Sequence, residues 1–315
     1  MPVVHTRVAI IGCGNVGLAC AHSLLLNRLA REIVLISHDS DHTRGEALDL
    51  QQAVPLGSPV SVTAGTYEDA AASHLVVLAV GGAAKFATTR LALLAENAVI
   101  VRECLRKLRE AGFKGVLVIA TNPVDVIVRI AHRESGLEPC QIIGSGTLLD
   151  SERLRNLLGR HFEVDPRSVH AAVIGEHGDS SVAVWSSAQI AGIPLAHYKG
   201  FETLSLPDML TAVRQAGPEV AHLKGNTCYA IAACVTRIAE AVLRDEGSAL
   251  LVSTMLTGQY GMTDIAMSTP CIVGAGGIER ALALELALEE KAALEASAAV
   301  LRHAYDSLES AATNA

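Results

Sequence analysis

The sequence predicts an α/β protein, with a doubly wound parallel sheet followed by a second, α+β domain. Continuous apolar runs, typical of strands buried on both faces, alternate with helical patterns from residue 7 to about residue 145. A glycine-rich turn follows the first run, and the regular alternation ends in the second half. Because 315 residues exceed one ordinary core, we expect two domains, over residues 1–145 and 146–315.

The composition restricts the kind of partner. Half of the residues are hydrophobic, 18% are charged and only 3% are aromatic, so the core must consist of Ala, Val, Leu and Ile. The net charge is −8, and the lysines and arginines are scattered along the chain. This pattern argues against nucleic acid or an anionic membrane surface as a partner.

Cysteine usage and the first residues predict a cytoplasmic protein. The seven cysteines are odd in number and include no C-x-x-C pair, so we expect buried free thiols in a reducing compartment. The segment 1–7 leads directly into a strand pattern without a signal peptide. The longest apolar run, near residues 75–84, is too short to span a bilayer. No metal site is expected.

A glycine-rich motif follows the first strand pattern, Arg7–Ile11, and precedes a helical pattern over residues 18–27. Glycine is expected at the first position for a tight turn, at the second for close approach of a pyrophosphate, and at the third for helix–strand contact. The pyrophosphate would lie on the helix N-terminus, whose free N–H groups favour anions. The motif therefore predicts a dinucleotide site formed by Gly12, Gly14, Asn15, Val16 and Gly17.

The end of the second strand pattern, 32–37, bears on the choice of cofactor. An acidic residue usually stands there and binds the ribose hydroxyls of NAD, but this chain has Ser37. The missing carboxylate removes a repulsion of the 2′-phosphate of NADP, to which Ser37 or a neighbouring basic residue could donate. Alternatively, Asp39 or Asp41 takes over the ribose contact of NAD. We expect NADPH to be used at least comparably with NADH.

Two further strands end in residues that can line a ligand crevice. The pattern over 73–82 leaves the sheet at Gly81, and the pattern over 115–123 ends in Thr-Asn-Pro. Strand exits of this kind border the ligand crevice of open α/β sheets. We therefore expect Gly81 and Asn122 beside the cofactor, with the Asn122 amide donating to a substrate oxygen.

Candidate acid–base chemistry lies in the second half. Asp150 and Arg153 are three residues apart on one predicted helix face, a spacing for which a solvated ion pair is the commoner outcome. His177 follows the apolar run Val169–Ile174, which we predict to be one strand, and stands in Gly175-Glu-His-Gly-Asp179. Its imidazole can exchange a proton near neutral pH, although a lone histidine beside glycines is commonly a turn residue.

Four motifs together resemble the L-lactate/L-malate dehydrogenase family, and more closely its bacterial L-2-hydroxyacid branch of lactate type. The likeness runs from Val8 to the last helix. The motifs are Gly12-x-Gly-x-x-Gly17, Thr121-Asn-Pro-Val-Asp125, Gly144-Ser-Gly-Thr-Leu-Leu-Asp-Ser-x-Arg153 and Ile174-Gly-Glu-His-Gly-Asp179. The resemblance implies a Rossmann domain for NAD or NADP, a substrate domain, and the interconversion of an L-2-hydroxy acid with its 2-oxo acid.

The resemblance also implies roles for individual residues. His177 would exchange a proton with the substrate oxygen while hydride passes to or from the nicotinamide, and Asp150 would hold the other ring nitrogen. Arg153 would bind the substrate carboxylate through two hydrogen bonds. The remaining roles fall to Arg90 (on a mobile lid, polarising the carbonyl), Asn122 (orienting the same oxygen) and Thr227 (flanking the substrate side chain).

The lid departs from the family pattern at Ala84, where lactate-type enzymes carry glutamine and malate-type enzymes arginine. Without a cation there, a second carboxylate such as that of oxaloacetate has no evident partner, which argues against the malate dehydrogenase alternative. The space left by the glutamine favours a 2-oxo acid with a larger side chain than that of pyruvate. The lid also reads Lys85-Phe-Ala-Thr-Thr-Arg90, where the family usually has Lys-Pro-Gly-Glu-Thr-Arg. This change should alter lid closure.

Two alternative functions stand beside this reading, and the resemblance also implies an effector site. An imine reductase of the opine- or imino-acid-forming kind is an alternative, because the site could protonate nitrogen as well as oxygen. A regulator without catalysis is disfavoured by the intact His177–Asp150 pair. Arg155 and His170 fall where lactate-type enzymes bind the activator fructose 1,6-bisphosphate at a subunit interface, although an ordinary surface arginine and strand histidine would fit the same positions. We expect a homo-oligomer, with a tetramer favoured over a dimer.

Overall fold

The computed structural model describes residues 6–56, 59–81 and 90–313. The strands are β1 (Arg7–Ile11), β2 (Glu32–Ile36), β3 (Ser61–Ala64), β4 (Leu75–Leu78), β5 (Val116–Ile119), β6 (Ile142–Gly144), β7 (Val169–His170), β8 (Val173–Ile174), β9 (Val182–Ala183), β10 (Gln189–Ile190), β11 (Ile193–Pro194), β12 (Ser248–Thr257), β13 (Thr263–Gly274) and β14 (Gly277–Ala281). The helices are α1 (Asn15–Leu26), α2 (Ser40–Ala53), α3 (Tyr67–Ala71), α4 (Arg90–Glu110), α5 (Val124–Glu134), α6 (Leu148–His161), α7 (Leu206–Lys224), α8 (Tyr229–Leu243) and α9 (Leu288–Thr313).

One large sheet has the strand order β14-β13-β12-β6-β5-β4-β1-β2-β3. The six strands from β3 to β6 are all parallel, and β12, β13 and β14 add to β6 in antiparallel fashion. The order β3-β2-β1-β4-β5-β6 is that of a doubly wound dinucleotide-binding fold. The predicted fold class is therefore confirmed.

Aliphatic side chains fill the core on both faces of this sheet. Helices α4, α5 and α9 cover one face, and α1 and α8 cover the other. The largest fully buried side chains are all leucine or isoleucine, as the low aromatic content predicts. A third cluster lies outside the sheet and packs α6 and α7 against β7–β10.

The predicted strand over 169–174 is wrong as a single element. It is divided into β7, which pairs with β10, and β8, which pairs with β9. The interruption is at Ala171 and Ala172, whose carbonyls accept hydrogen bonds from the side chain of Arg155 (3.2 Å) and from Val184 N (2.9 Å). The two halves of one apolar run thus belong to two small sheets.

Two helices differ from the sequence expectation. α1 begins at Asn15, inside the glycine motif and three residues before the helical pattern of the sequence. α7 was not expected, because Gly217 and Pro218 lie inside it and its exposed surface hides the periodicity. Within the described ranges, no helix combines the length and the hydropathy that crossing a membrane requires.

Candidate active site

The glycine motif lies at the carboxyl end of β1, and two of its glycines are required by the fold itself. Gly12, after β1, has φ +105°, and a Cβ on it would lie 2.4 Å from the carbonyl oxygen of Ala79. A Cβ on Gly17 would lie 1.8 Å from the carbonyl oxygen of Gly12. Side chains at either position would therefore force β1, β4 and α1 apart.

Gly14 differs, because the protein leaves space around it. It is the N-cap of α1, it has no side-chain capping bond, and a Cβ built on it would meet nothing within 4 Å. The N–H groups of Asn15, Val16 and Gly17 begin the helix, where intrahelical acceptors are lacking. An exposed glycine beside free N–H groups fits a pyrophosphate, whose approach a side chain would block. The residues present therefore fit a nicotinamide dinucleotide.

Ser37 lies directly after β2, half-buried, with its hydroxyl 3.5 Å from Nδ1 of the exposed His38. Asp39 accepts the N–H of His42 at 3.0 Å and thereby caps α2. Its carboxylate is thus partly engaged, whereas Asp41 lies exposed on the first turn of α2. Gly81 lies exposed three residues after β4.

The second half brings three of the expected side chains into direct contact. Nδ1 of His177 lies 2.5 Å from Oδ2 of Asp150, and Arg153 donates through Nη1 to Oδ1 of the same carboxylate at 3.1 Å. The Asp150 side chain is 7% exposed, and those of Arg153 and His177 are about one-fifth exposed. The i, i+3 pair is therefore not a solvated surface pair: it lies inside the protein against the histidine.

Opposite charges set the electrostatics of this cluster. Burial alone would raise the pKa of Asp150, but His177 and Arg153 outweigh burial and hold that pKa below its ordinary value. Burial would lower the pKa of His177, but the Asp150 carboxylate outweighs it and raises that pKa above the ordinary value. The arrangement therefore favours an imidazolium on His177 beside an ionised Asp150.

A second carboxylate touches His177, and the sequence reasoning gave it no role. Oδ2 of Asp125, on the first turn of α5, accepts the main-chain N–H of His177 at 2.8 Å. Its Oδ1 accepts the hydroxyl of Ser253 at 2.6 Å. Burial raises the pKa of Asp125 to about 6, although both hydrogen bonds act to lower it. Its position in the motif Thr121–Asp125 was the sequence feature that could have indicated this role.

Buried serines, also missed, support the rest of the site. Ser268 on β13 accepts the N–H of Thr147, before α6, through its hydroxyl at 3.0 Å. Its main chain pairs with Gly175, two residues before His177. Ser297 on α9 accepts the N–H of Glu176 at 2.9 Å. A lone serine in an apolar strand or helix carries no sequence signal for such a role.

Asn122 and Thr227 both lie in connections between elements. Asn122 is exposed after β5, and its main-chain carbonyl accepts from Nδ2 of Asn97 at 2.8 Å. Thr227 is half-buried between α7 and α8. Two expected residues fall outside this description: Ala84 is not among the described residues, and only the backbone of Arg90, the first residue of α4, is described.

The residues of the expected effector site lie on neighbouring elements, α6 and β7. Nε of Arg155 donates to the carbonyl of Ala171, next to His170, which is exposed on β7. Nη1 of Arg155 also bonds the carboxylate of Glu152 at 2.7 Å. A bound anion would have to compete with that carboxylate for the guanidinium.

Comparison with known proteins identifies the family. Residues 6–144 match the family model described as lactate/malate dehydrogenase, NAD binding domain, and residues 147–311 match its alpha/beta C-terminal domain. The L-lactate dehydrogenase of Thermoanaerobacter pseudethanolicus is 42% identical over 96% of this chain and 99% of its own length. That of Nitratidesulfovibrio vulgaris is 41% identical over 94% and 97%.

Solved structures agree in fold. The minor L-lactate dehydrogenase of Enterococcus mundtii, in a ligand-bound form, superimposes with a TM-score of 0.92 at 37% identity, over 96% of this chain and 98% of that one. A lactate dehydrogenase from a Medee basin deep-sea metagenome library gives 0.93 at 33% identity, over 97% and 99%. Family models match both halves of the chain, and the relatives match nearly all of it, so the chain belongs to the lactate/malate dehydrogenase family.

Proposed function

We propose that the protein is an NAD(P)-dependent L-2-hydroxyacid dehydrogenase of lactate type. The observation that carries the proposal is the buried contact between His177 and Asp150, with Arg153 on the same carboxylate. The likeness to enzymes named L-lactate dehydrogenases supports it. When bound, the nicotinamide supplies or accepts the hydride.

His177 is the proposed acid and base. Asp150 occupies Nδ1, so Nε2 is the nitrogen that would face the substrate oxygen. In the reducing direction the imidazolium gives its Nε2 proton to the carbonyl oxygen, and in the oxidising direction neutral Nε2 takes the hydroxyl proton. Asp150 fixes the orientation of the ring and stabilises its positive charge.

Arg153 is the proposed carboxylate-binding residue. Among the described residues its guanidinium contacts one carboxylate, through Nη1 only, so its other N–H groups can form a two-pronged bond to the substrate. Asn122 would donate to the reacting oxygen, and Thr227 would border the substrate side chain. Arg90 would polarise the carbonyl when the lid excludes water.

The proposed substrate is a 2-oxo acid bulkier than pyruvate. The support is Ala84, which replaces a longer side chain of the family pattern and leaves room without adding a cation. We expect kcat/KM to be higher for longer or branched 2-oxo acids than for pyruvate. A panel of 2-oxo acids with both cofactors tests this, and a clear preference for pyruvate would contradict it. Oxaloacetate and an added amine complete the panel and test the malate and imine alternatives.

The proposed cofactor range includes NADP. The support is the lack of a carboxylate at Ser37 and the engagement of Asp39 in capping α2. We expect kcat/KM for NADPH to be comparable with that for NADH. A preference for NADH of about 100-fold, or about 2.7 kcal/mol, would contradict this proposal.

We further propose a cytoplasmic homotetramer regulated by an anion at Arg155 and His170. All seven cysteines are free, and exposed apolar side chains on α2, α7 and α8 (Leu48, Leu223 and Tyr229) offer a surface for subunit contact. Light scattering with and without fructose 1,6-bisphosphate, together with the activity, tests the assembly and its activation. A monomer whose mass and activity are unchanged by the activator would contradict both the tetramer and its activation.

A further inference from the structure

Gly217, inside α7, is a glycine that the backbone does not require. Its φ lies outside the left-handed region. Outside its own helix, a Cβ built on it would meet two atoms of the described residues within 4 Å, Nη2 and Nη1 of Arg153 at 3.6 and 3.8 Å. Alanine is more favourable than glycine in a helix interior. Glycine at this position therefore lowers the stability of α7 without relieving a steric clash.

Two other glycines in helices are explained by packing. A Cβ on Gly17 of α1 would lie 1.8 Å from the carbonyl oxygen of Gly12, and a Cβ on Gly159 of α6 would lie 2.9 Å from Cγ of Pro166. Side chains at these positions would push neighbouring elements apart. At position 217, in contrast, the missing side chain leaves open space beside a guanidinium, which is the feature that needs an explanation.

The guanidinium of Arg153 has its available nitrogen next to this space. Nη1 donates to Asp150 at 3.1 Å, whereas Nη2, the nitrogen nearer to the Cβ position of Gly217, donates to no group among the described residues. A substrate carboxylate bound at Nη2 would lie beside the volume that a side chain at position 217 would fill. The carbon next to the carbonyl of a 2-oxo acid is two bonds from the carboxylate carbon, so a branch on that carbon reaches the same volume.

We propose that Gly217 is a specificity-determining residue that admits 2-oxo acids branched at the carbon next to the carbonyl. The inference rests on the proposed function and deepens its substrate class. It concerns a different part of the substrate from Ala84. The space at Ala84 would admit a longer side chain under the lid, whereas the space at Gly217 would admit a branch close to the carboxylate.

The first half of α7 is held beside the site, so the space has a fixed wall. Val213, one turn before Gly217, is fully buried. Arg214 donates through Nη2 to the main-chain carbonyl of Ser181, four residues after His177. The helix is thus attached to the segment that carries the proposed acid and base. A tightly packed wall discriminates between substrates that differ by one methyl group, because it does not move to admit the larger one.

Two isomeric acids and three variants separate space from other effects. 2-Oxopentanoate is linear, and 3-methyl-2-oxobutanoate has the same composition but is branched at the carbon next to the carbonyl. Gly217→Ala fills the space with one methyl group. Pro218→Ala keeps the space and changes the stiffness of the helix, because a proline inside a helix removes a hydrogen bond. Ala212→Val is the matched control, since it adds bulk at an exposed position of the same helix.

The experiment measures kcat/KM for both acids, and their dissociation constants by calorimetry in the presence of NAD⁺. A 2-oxo acid cannot donate a hydride to NAD⁺, so the second measurement needs no turnover. We expect G217A to lower kcat/KM for the branched acid relative to the linear one by about 10- to 100-fold. The dissociation constants should change in the same direction. P218A and A212V should keep the wild-type ratio.

Three results would overturn the inference. An unchanged ratio in G217A would mean that the branch does not reach position 217. Equal losses for both acids would mean that the new methyl group acts on Arg153 and not on the branch. The same change of ratio in P218A would assign the effect to helix stiffness. A wild-type chain that reduces no 2-oxo acid would contradict the proposed function instead, and calorimetry would still report whether Gly217 distinguishes the two isomers.

Discussion

The two ends of the proposed site are held in different ways. At the reaction end, His177 is fixed by Asp150 on its ring and by Asp125 on its main chain, and both carboxylates are buried. At the ribose end, Ser37 is half-buried, and its hydroxyl lies 3.5 Å from an exposed histidine ring. A buried network in which every hydrogen-bonding group has a partner fixes one geometry. An exposed position at the end of a strand tolerates substitution. Under the proposed function, the groups that carry the chemistry are therefore fixed in the core, and the residue proposed to set the cofactor preference lies at the surface.

The largest expected effect comes from removing the imidazole. His177→Asn deletes the proposed acid and base, so kcat should fall by about 10²- to 10⁴-fold, with the dissociation constant of NADH unchanged. Steady-state kinetics in both directions measure it. The control is His303→Asn on the exposed side of α9, and a His177 variant with full turnover would remove the catalytic assignment.

Replacing Arg153 tests the carboxylate-binding role. Arg153→Lys keeps the charge but loses the planar fork, and hydrogen bonds to charged groups contribute about 1.5 to 3 kcal/mol. We expect kcat/KM to fall about 10- to 100-fold, mainly through KM. The control, Arg102→Lys, changes an arginine that pairs with Glu134 and Glu309 and makes no contact with Asp150 or His177 among the described interactions. An unchanged KM in the Arg153 variant would assign the substrate carboxylate to another group.

The pH profile tests the charge beside His177. Reduction needs the imidazolium, so activity should persist below the raised pKa of His177 and fall as the pH rises through it; oxidation should show the opposite limb. Asp150→Asn removes the main cause of the raised pKa, so the falling limb should move to lower pH. Asp125 and Arg153 also act on the charge of the ring and remain in that variant. An unmoved limb would mean that another group titrates.

The last prediction concerns the ribose end. Ser37→Asp should shift the ratio of kcat/KM values towards NADH about 10- to 100-fold, or about 1.4 to 2.7 kcal/mol, through repulsion of the 2′-phosphate. Ser37→Asn has nearly the same shape without charge and should leave the ratio close to that of the wild type. Equal shifts in the two variants would mean that size, and not charge, decides the preference.

Much of the first half follows from the sequence, because its signals are local. Each buried parallel strand is an unbroken apolar run, and Gly12 and Gly17 are glycines for reasons of backbone contact that the motif itself encodes. The strand β8 and the helix α7 were harder to predict. β8 depends on which distant strand each half of an apolar run joins. α7 contains Gly217 and Pro218, and most of its residues are exposed, which hides the periodicity.

The proposed site divides in the same way. The motif residues His177, Asp150 and Arg153 could be named from the sequence, and the structure brings them into contact. The roles of Asp125 and Ser253 could not, because they depend on a hydrogen bond between positions 128 residues apart. Only the pairing of β12 with the parallel strands creates that contact.

The junction of β6 with β12 also has a consequence for synthesis. The outer edge of β6 stays unpaired until β12 is made, about a hundred residues later, which takes about 5 to 20 s at the usual rate of elongation. An open edge can pair with other nascent chains. β6 has only three residues and ends at Gly144, and its register with β12 is the single pair of Gly144 and Ser253. So short an edge gives other nascent chains few backbone groups to pair with before β12 is synthesised.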